Sequence, residues 1–371
     1  MQFFRFLELF LAAAERGPAA AWEFLFSRTS YEFSEIQMPE QLDHVVVFLK
    51  KMRLMIVAEG KGSSARRAEA INRLIQYVSV PCEDENEYFR NRIKWQLCFQ
   101  LAIRVREPKF IDQRRIPICG PNSVAIAWAR DRPCEYVTAA LELHDKGQCE
   151  LDGGHFLVRF SMKNAVTCWA GKMAYADVLV MGAIKNRMDF GKLEQMLNNE
   201  TPMHGNGGDR VCRLLQVIGC EVFEDHATVP LYPATFPHES QHRRLLTDCC
   251  EAVRDRRNIV LICYNSDSIN SSSRHRDYHG YQRGDFGGVP VIMPPPQNHN
   301  TTDVPVIYAN PQRKSKESAN HWSILCKMTL QGAYVEFKVY TWGRVVRGRM
   351  LIEQFLKMFN GYVVGRFPDR N

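Results

Sequence analysis

The first hundred residues carry apolar positions at the spacing of an α-helix, which predicts a helical N-terminal region. Leu7, Phe10 and Leu11 fall on one face of such a helix, and Arg5 and Glu8 interrupt the apolar run around them. The start of the chain therefore predicts an amphipathic helix and not a signal peptide. The pattern continues in the same way and predicts a helical domain over residues 1–100, with helices at 3–16, 19–26, 41–58 and 65–78.

From residue 101 the pattern changes to helices followed by alternating, strand-like segments. The predicted helices lie at 123–130, 133–143, 173–184, 210–218, 240–253 and 350–359, and the predicted strands lie at 258–265, 321–330, 334–340 and 361–367. Helices followed by an antiparallel β half are typical of the α+β class. Residues 101–371 are therefore predicted to form a second domain of that class.

One long segment and one charged residue of this second domain do not fit the pattern of helices and strands. Residues 266–320 are polar and rich in Gly, Pro and Asn, which is long for a loop in a compact domain. We interpret this stretch as a long flexible loop that covers a cleft. Asp177 stands alone in an apolar helical run, and we interpret it as a surface or capping residue.

The composition is that of an ordinary globular protein. Of 371 residues, 45% are hydrophobic and 24% are charged, and no apolar run is long enough for a membrane span. The formal net charge is +7, but the basic residues are spread widely, whereas nucleic-acid-binding proteins usually concentrate them on one face or arm. The charge predicts solvated surface and no specific nucleic acid as partner. A basic nucleic-acid-binding protein stays open as an alternative that rests on net charge alone.

The cysteines and histidines predict no disulfide framework and no metal site. Twelve cysteines show no Cys-x-x-Cys pair, and several, such as Cys263 and Cys326, lie in apolar stretches, as expected of thiols kept reduced in a cytoplasm. His275 and His279 have a spacing found in metal sites, but they lie in a polar loop without a third ligand nearby. No metal or other cofactor is therefore expected.

One cysteine stands where a thiol would be activated. Cys119 is followed by Gly120-Pro121 and then by an apolar helical run, and proline is favoured in the first turn of a helix, so Cys119 is expected at a helix N-terminus. The positive end of the helix dipole helps a thiol to lose its proton. Catalysis also needs an imidazole, which would form a Cys⁻/His⁺ pair, and donors for an oxyanion. We identify His321 as the base and the Cys119 backbone N–H with the Gln113 side chain as the donors.

These residues resemble those of the papain-like cysteine proteases. Gln113 lies six positions before Cys119, as the oxyanion glutamine precedes the nucleophile in that superfamily. Residues 119–123, Cys-Gly-Pro-Asn-Ser, look like the start of the nucleophile helix in bacterial double-glycine (bacteriocin-processing, peptidase C39-like) peptidases. His321 opens one strand, and Thr341-Trp342-Gly343 ends the next, as in the histidine strand and the Trp-Gly turn of the superfamily. The resemblance covers residues 100–371 in order and spacing and implies a papain-like fold with thiol hydrolase chemistry.

The chain departs from the superfamily at the residue that orients the histidine. Papain-like enzymes place Asn or Asp two residues before the Trp-Gly pair, where this chain has Tyr340. The hydroxyl of Thr341 beside it, or a backbone carbonyl, would accept the imidazole N–H. An orienting group fixes the tautomer, while base and nucleophile perform the chemistry. The site is therefore a Cys–His dyad, a site that borrows a carboxylate from a loop that diverges from the superfamily, or an inactive one.

The resemblance implies cleavage of an amide bond in a protein or peptide substrate, at a peptide bond by a protease or at a glutamine side chain by a deamidase. An additional helical domain without a readable export signal would suit a bacterial effector or toxin that is made in the cytoplasm and delivered to a target cell by a specialised secretion system. A catalytically inactive papain-like binding or scaffold protein is the alternative that Tyr340 motivates. The sequence does not indicate the oligomeric state.

Overall fold

The structure, a computed structural model, divides into two compact units, Met1–Met203 and His204–Asn371. It describes residues 2–26, 42–60, 63–80, 91–113, 118–151, 154–157, 173–189, 208–227, 239–264, 284–286, 289–291, 306–308, 321–341 and 344–369.

The first unit is mainly helical. Its described helices are α1 (Phe3–Glu15), α2 (Pro18–Phe26), α3 (Leu42–Ala58), α4 (Ser64–Ser79), α5 (Asn91–Arg106), α6 (Cys119–Asp131), α7 (Pro133–Lys146) and α8 (Tyr175–Asp189). An antiparallel hairpin of β1 (Gln148–Leu151) and β2 (Gly154–Leu157) follows α7. Proline opens α2 and α7, where its missing N–H breaks no helical hydrogen bond. Gly147 ends α7 in the left-handed conformation, with φ of 69°.

Phenylalanine rings form the core between α1, α3 and α5. Phe3, Phe6 and Phe10 recur along one buried face of α1. Their rings contact Phe48 of α3 or Phe99 of α5 at centroid distances between 5.0 and 6.3 Å. The predicted amphipathic helix at the start of the chain is thereby confirmed, because its apolar stripe is the face that packs.

The second unit is built on a seven-stranded sheet. Its strands are β3 (Glu221–Asp225), β4 (Ile259–Tyr264), β7 (Val306–Tyr308), β8 (His321–Gln331), β9 (Tyr334–Thr341), β10 (Arg344–Leu351) and β11 (Phe359–Arg366), in the order β3-β11-β4-β8-β9-β10-β7. Neighbours are antiparallel except β10 and β7, which are parallel. A separate hairpin pairs β5 (Gly284–Phe286) with β6 (Val289–Val291), and the described helices are α9 (Gly208–Val217), α10 (Glu239–Ala252) and α11 (Ile352–Met358).

One face of this sheet packs against α10 and α11 and forms the core of the unit. Alternate residues of β9, among them Val335, Phe337 and Val339, are buried there. Gly348 of β10 lies opposite Phe337 in the register. A Cβ at Gly348 would lie 2.2 Å from the Phe337 ring, so only glycine leaves room for that ring.

The predicted α+β class is confirmed by helices that precede a largely antiparallel sheet. The predicted boundary at 100/101 falls inside α5, which packs against α4 before it and against α6 and α8 after it. Most of the predicted loop at 266–320 lies outside the described residues, and the parts that are described form β5, β6 and β7. Among the helices that the structure describes, none combines the length and the apolar character that crossing a membrane requires.

Candidate functional site

Cys119 is the first residue of α6, as predicted. The Asn122 N–H donates to the Ile118 carbonyl over 2.9 Å and closes the first turn around it. The Cys119 N–H precedes the helix's own hydrogen-bond ladder and lies at the positive end of the helix dipole. All residues of α6 from Cys119 to Ala129 are buried, so the helix that carries the thiol is a rigid central element of its unit.

Gln113 lies at the end of a segment that α5 and α8 hold in place. A 3₁₀ turn at Pro108–Phe110 follows α5, and the chain then runs extended through Ile111. The Asp112 N–H donates to Asp177 Oδ2 over 3.3 Å. Asp112 and Gln113 are both buried. The candidate oxyanion donor therefore follows directly after an anchored backbone N–H.

The interpretation of Asp177 as a surface or capping residue is wrong. Its carboxylate is 1% exposed and accepts two hydrogen bonds of 2.5 Å from Arg104 Nε and Nη2. Burial raises the pKa of Asp177 above its ordinary value, and the neighbouring Arg104 guanidinium opposes that rise. The apolar helix α8 can carry this buried carboxylate because the fully buried guanidinium of Arg104 in α5 pairs with it.

His321 is the first residue of β8, and the structure brings it together with Thr341 at the end of β9. Ile324 pairs with Tyr340 in the register, which places Thr341 diagonally across from His321 on the same face of the sheet. His321 Nε2 lies 2.5 Å from Thr341 Oγ1. Both side chains are buried. The geometry therefore satisfies the predicted contact between the imidazole and the Thr341 hydroxyl.

Two further residues surround His321, and the sequence did not point to either of them. Tyr264 lies opposite His321 in the β4–β8 register, and their rings make an edge contact with a centroid distance of 5.5 Å. The Tyr264 hydroxyl lies 2.8 Å from Ser323 Oγ. Only the antiparallel register could have identified Tyr264 as a neighbour, because β4 and β8 are separated by more than fifty residues, whereas Ser323 follows His321 on the same strand.

The surroundings of His321 determine its charge. Burial lowers the pKa of the imidazole to about 3, so the ring is neutral at pH 7. A neutral imidazole can accept a proton on one nitrogen while the other carries its own. The imidazolium of the Cys⁻/His⁺ pair expected from the sequence is therefore not the form of His321 that burial favours.

The four predicted site residues divide between the two units. Cys119 and Gln113 belong to the first, and His321 and Thr341 belong to the second. The predicted Trp-Gly turn at 342–343 lies outside the described residues. Within the part of the chain that the structure describes, no three His, Cys, Asp or Glu side chains are grouped as metal ligands would be.

Comparisons of the chain with protein-family models, with curated proteins and with solved structures gave no match.

Proposed function

We propose that this protein is a papain-like cysteine hydrolase that cleaves an amide bond of a protein or peptide. The observation that carries the proposal is the 2.5 Å contact between His321 Nε2 and Thr341 Oγ1. It supplies an orienting hydroxyl to the histidine that the resemblance assigns as base. The position of Cys119 at a helix N-terminus, where the helix dipole favours the thiolate, supports the other half of the chemistry.

In the proposed reaction, His321 carries its ring proton on Nε2 and donates it in a hydrogen bond to Thr341 Oγ1. Nδ1 is then the nitrogen that takes the Cys119 thiol proton as the sulfur attacks the amide carbon. The carbonyl π electrons move to oxygen. The resulting oxyanion accepts hydrogen bonds from the Cys119 backbone N–H and from the Gln113 side-chain amide.

Collapse of this intermediate breaks the carbon–nitrogen bond. The proton on His321 Nδ1 goes to the leaving nitrogen, which departs as an amine from a peptide bond or as ammonia from a glutamine side chain. The acyl group stays on Cys119 as a thioester. His321 then takes a proton from water, the hydroxide oxygen attacks the thioester, and the carboxylic acid and the Cys119 thiol are released.

Thr341 substitutes for the Asn or Asp of the superfamily in this proposal. A hydroxyl carries no charge, so it fixes the tautomer and orientation of His321 without stabilising the imidazolium as a carboxylate would. Since burial already holds His321 neutral, an uncharged orienting group suits the site. The Tyr264 ring packs edge-on against the imidazole and restricts its rotation from a second side.

The test is to incubate the protein with a mixed peptide library that contains glutamine and to follow products by mass spectrometry. We expect cleaved or deamidated peptides from the wild-type protein and none from Cys119→Ala. A thioester adduct on Cys119 should be trapped when the reaction is quenched in acid. Products that form equally with both proteins would overturn the proposal. An inactive scaffold would give no product with either, and its partner binding would survive Cys119→Ala.

A further inference from the structure

The buried pair of Arg104 and Asp177 joins the helices α5 and α8 at one point. Two hydrogen bonds of 2.5 Å connect the side chains, and each side chain is 1% exposed. The Gln100 side-chain carbonyl of α5 accepts a hydrogen bond from the Ala176 N–H of α8 over 2.9 Å. A buried ion pair by itself is weak evidence for stability, because desolvation offsets much of the attraction.

The Asp177 carboxylate also holds the chain that leads to Gln113. Asp177 Oδ2 accepts the Asp112 N–H over 3.3 Å in addition to the Arg104 donor. Arg104 is itself fixed, since its Nη1 donates to the Gln100 carbonyl over 3.0 Å. One carboxylate oxygen thus connects a rigid helix pair to the backbone immediately before Gln113.

We infer that Asp177 is a positioning residue, which acts through the Asp112 N–H to place the Gln113 amide for the oxyanion. The inference rests on the proposed function, since Gln113 needs precise placement only if Cys119 forms a tetrahedral intermediate. Oxyanion donors act through fixed geometry, and a displacement of about 1 Å can reduce a rate about 100-fold. Asp112 is anchored one residue away, so freeing its N–H would loosen Gln113 directly.

Two thiol reagents separate this role from the reactivity of the thiol. With the aldehyde acetyl-Gly-glycinal, Cys119 Sγ bonds to the carbonyl carbon, the π electrons move to oxygen, and the thiol proton reaches that oxygen in the neutral adduct. The oxygen of this adduct occupies the position of the oxyanion and accepts hydrogen bonds from the same donors. With iodoacetamide, Cys119 Sγ bonds to a saturated carbon, iodide leaves, and His321 takes the thiol proton and passes it to solvent, so no oxyanion forms. Comparing the two reagents therefore isolates the donors.

The experiment uses the full chain with Gln113→Ala, Asp177→Asn, both together, and Glu59→Gln as control. Glu59 pairs over 2.6 Å with Arg106, which lies in the same helix as Arg104, and Glu59 is largely buried. Its substitution therefore removes another ion pair of α5. We expect Gln113→Ala to weaken aldehyde binding about 100-fold and Asp177→Asn about 10-fold. The double variant should be no weaker than Gln113→Ala, because both act on one donor. Iodoacetamide rates at Cys119 should stay within about twofold in all of them.

Each other outcome decides against the inference in a recognisable way. Asp177→Asn that binds the aldehyde like the wild type, or whose loss adds in full to that of Gln113→Ala, overturns the positioning role. Selective alkylation of Cys119 without aldehyde binding by the wild type also overturns it, while the nucleophile stands. Absence of selective alkylation of Cys119 in the wild type overturns the proposed function itself. If Asp177→Asn fails to fold, Arg104→Lys replaces it, with aldehyde binding expected to weaken and alkylation to persist.

Discussion

Removing the Thr341 hydroxyl should weaken the orientation of His321 by an amount that the structure allows us to estimate. Thr341→Val replaces a hydroxyl by a methyl group of nearly the same size, so it removes the hydrogen bond of 2.5 Å and leaves the packing almost unchanged. Both side chains are buried, Thr341 to 1% exposure and His321 to 4%, so water cannot readily replace the lost partner. The imidazole would then lose both its orientation and its preferred tautomer.

The size of the effect follows from that burial. A hydrogen bond of this kind contributes about 1–1.5 kcal/mol net, and a buried polar group left unsatisfied costs about 1–3 kcal/mol. Because about 1.4 kcal/mol corresponds to a factor of ten in rate, we expect alkylation of Cys119 to slow about 5- to 15-fold. The free energy of unfolding should fall by about 1–3 kcal/mol.

The assay is the second-order rate constant for iodoacetamide at Cys119, read from the modified peptide by mass spectrometry, with urea unfolding beside it. Thr329→Val is the matched control, because it makes the same substitution in the same sheet. The Thr329 hydroxyl is buried without a hydrogen-bond partner among the residues that the structure describes. We expect the control to leave the alkylation rate unchanged and to keep or raise the free energy of unfolding, because it removes a hydroxyl that makes no hydrogen bond there. If Thr341→Val behaves like Thr329→Val in both, Thr341 does not orient His321.

Three further expectations concern stability. Acidification to about pH 5 should destabilise the fold by about 2 kcal/mol for each of His144 and His321. Burial lowers the pKa of His144 to about 4 and that of His321 to about 3. The same histidines in the unfolded chain take up protons below about pH 6.5. Stability is then complete above about pH 6.5 and is lost as the pH falls towards those values. Gly348→Ala should destabilise the protein by about 1–3 kcal/mol in urea unfolding, because its Cβ would meet the Phe337 ring. Phe99→Ala should lower the free energy of unfolding by about 3–5 kcal/mol, because the ring lies at the centre of the aromatic core.

Each of these has its own control. His144→Gln should reduce the pH-dependent loss, and an unchanged loss would show that His144 is not the group that titrates. Combining Gly348→Ala with Phe337→Leu should cost less than the sum of the two, whereas full additivity would exclude the clash. Leu54→Ala, at a side chain that is 60% exposed, should be nearly neutral beside Phe99→Ala. Equal effects of those two would contradict the placement of the core.

The sequence predicted correctly those features that depend on neighbouring residues within one helix or strand. Cys119 at a helix start follows from the Gly-Pro pair and the apolar run after it, and His321 at a strand start follows from the apolar run that begins beside it. The strand Arg344–Leu351 was not predicted. It is rich in arginine, and one of its alternating buried positions is a glycine, so the sequence shows no clear apolar alternation. That glycine is explained only by the Phe337 ring opposite it, on another strand.

Pairings between distant elements could not be read from the sequence. Asp177 looked like a lone charge on an apolar helix, and its partner Arg104 lies 73 residues earlier in the chain. Tyr264 becomes a neighbour of the imidazole only through the register of β4 and β8. Thr341 could be predicted as a site residue, because the resemblance indicated where the group that orients the histidine should lie.

The alkylation rate of Cys119 in the wild type and in His321→Gln tests most directly the proposed exchange of a proton between these two residues. The rate should be followed with iodoacetamide between about pH 5 and pH 9, the range in which an ordinary thiol begins to ionise. We expect Cys119 to react faster than the other eleven cysteines in the wild type and to lose that advantage in His321→Gln, while the others are unaffected. A Cys119 rate that is the same in both proteins at every pH would contradict a proton transfer between Cys119 and His321.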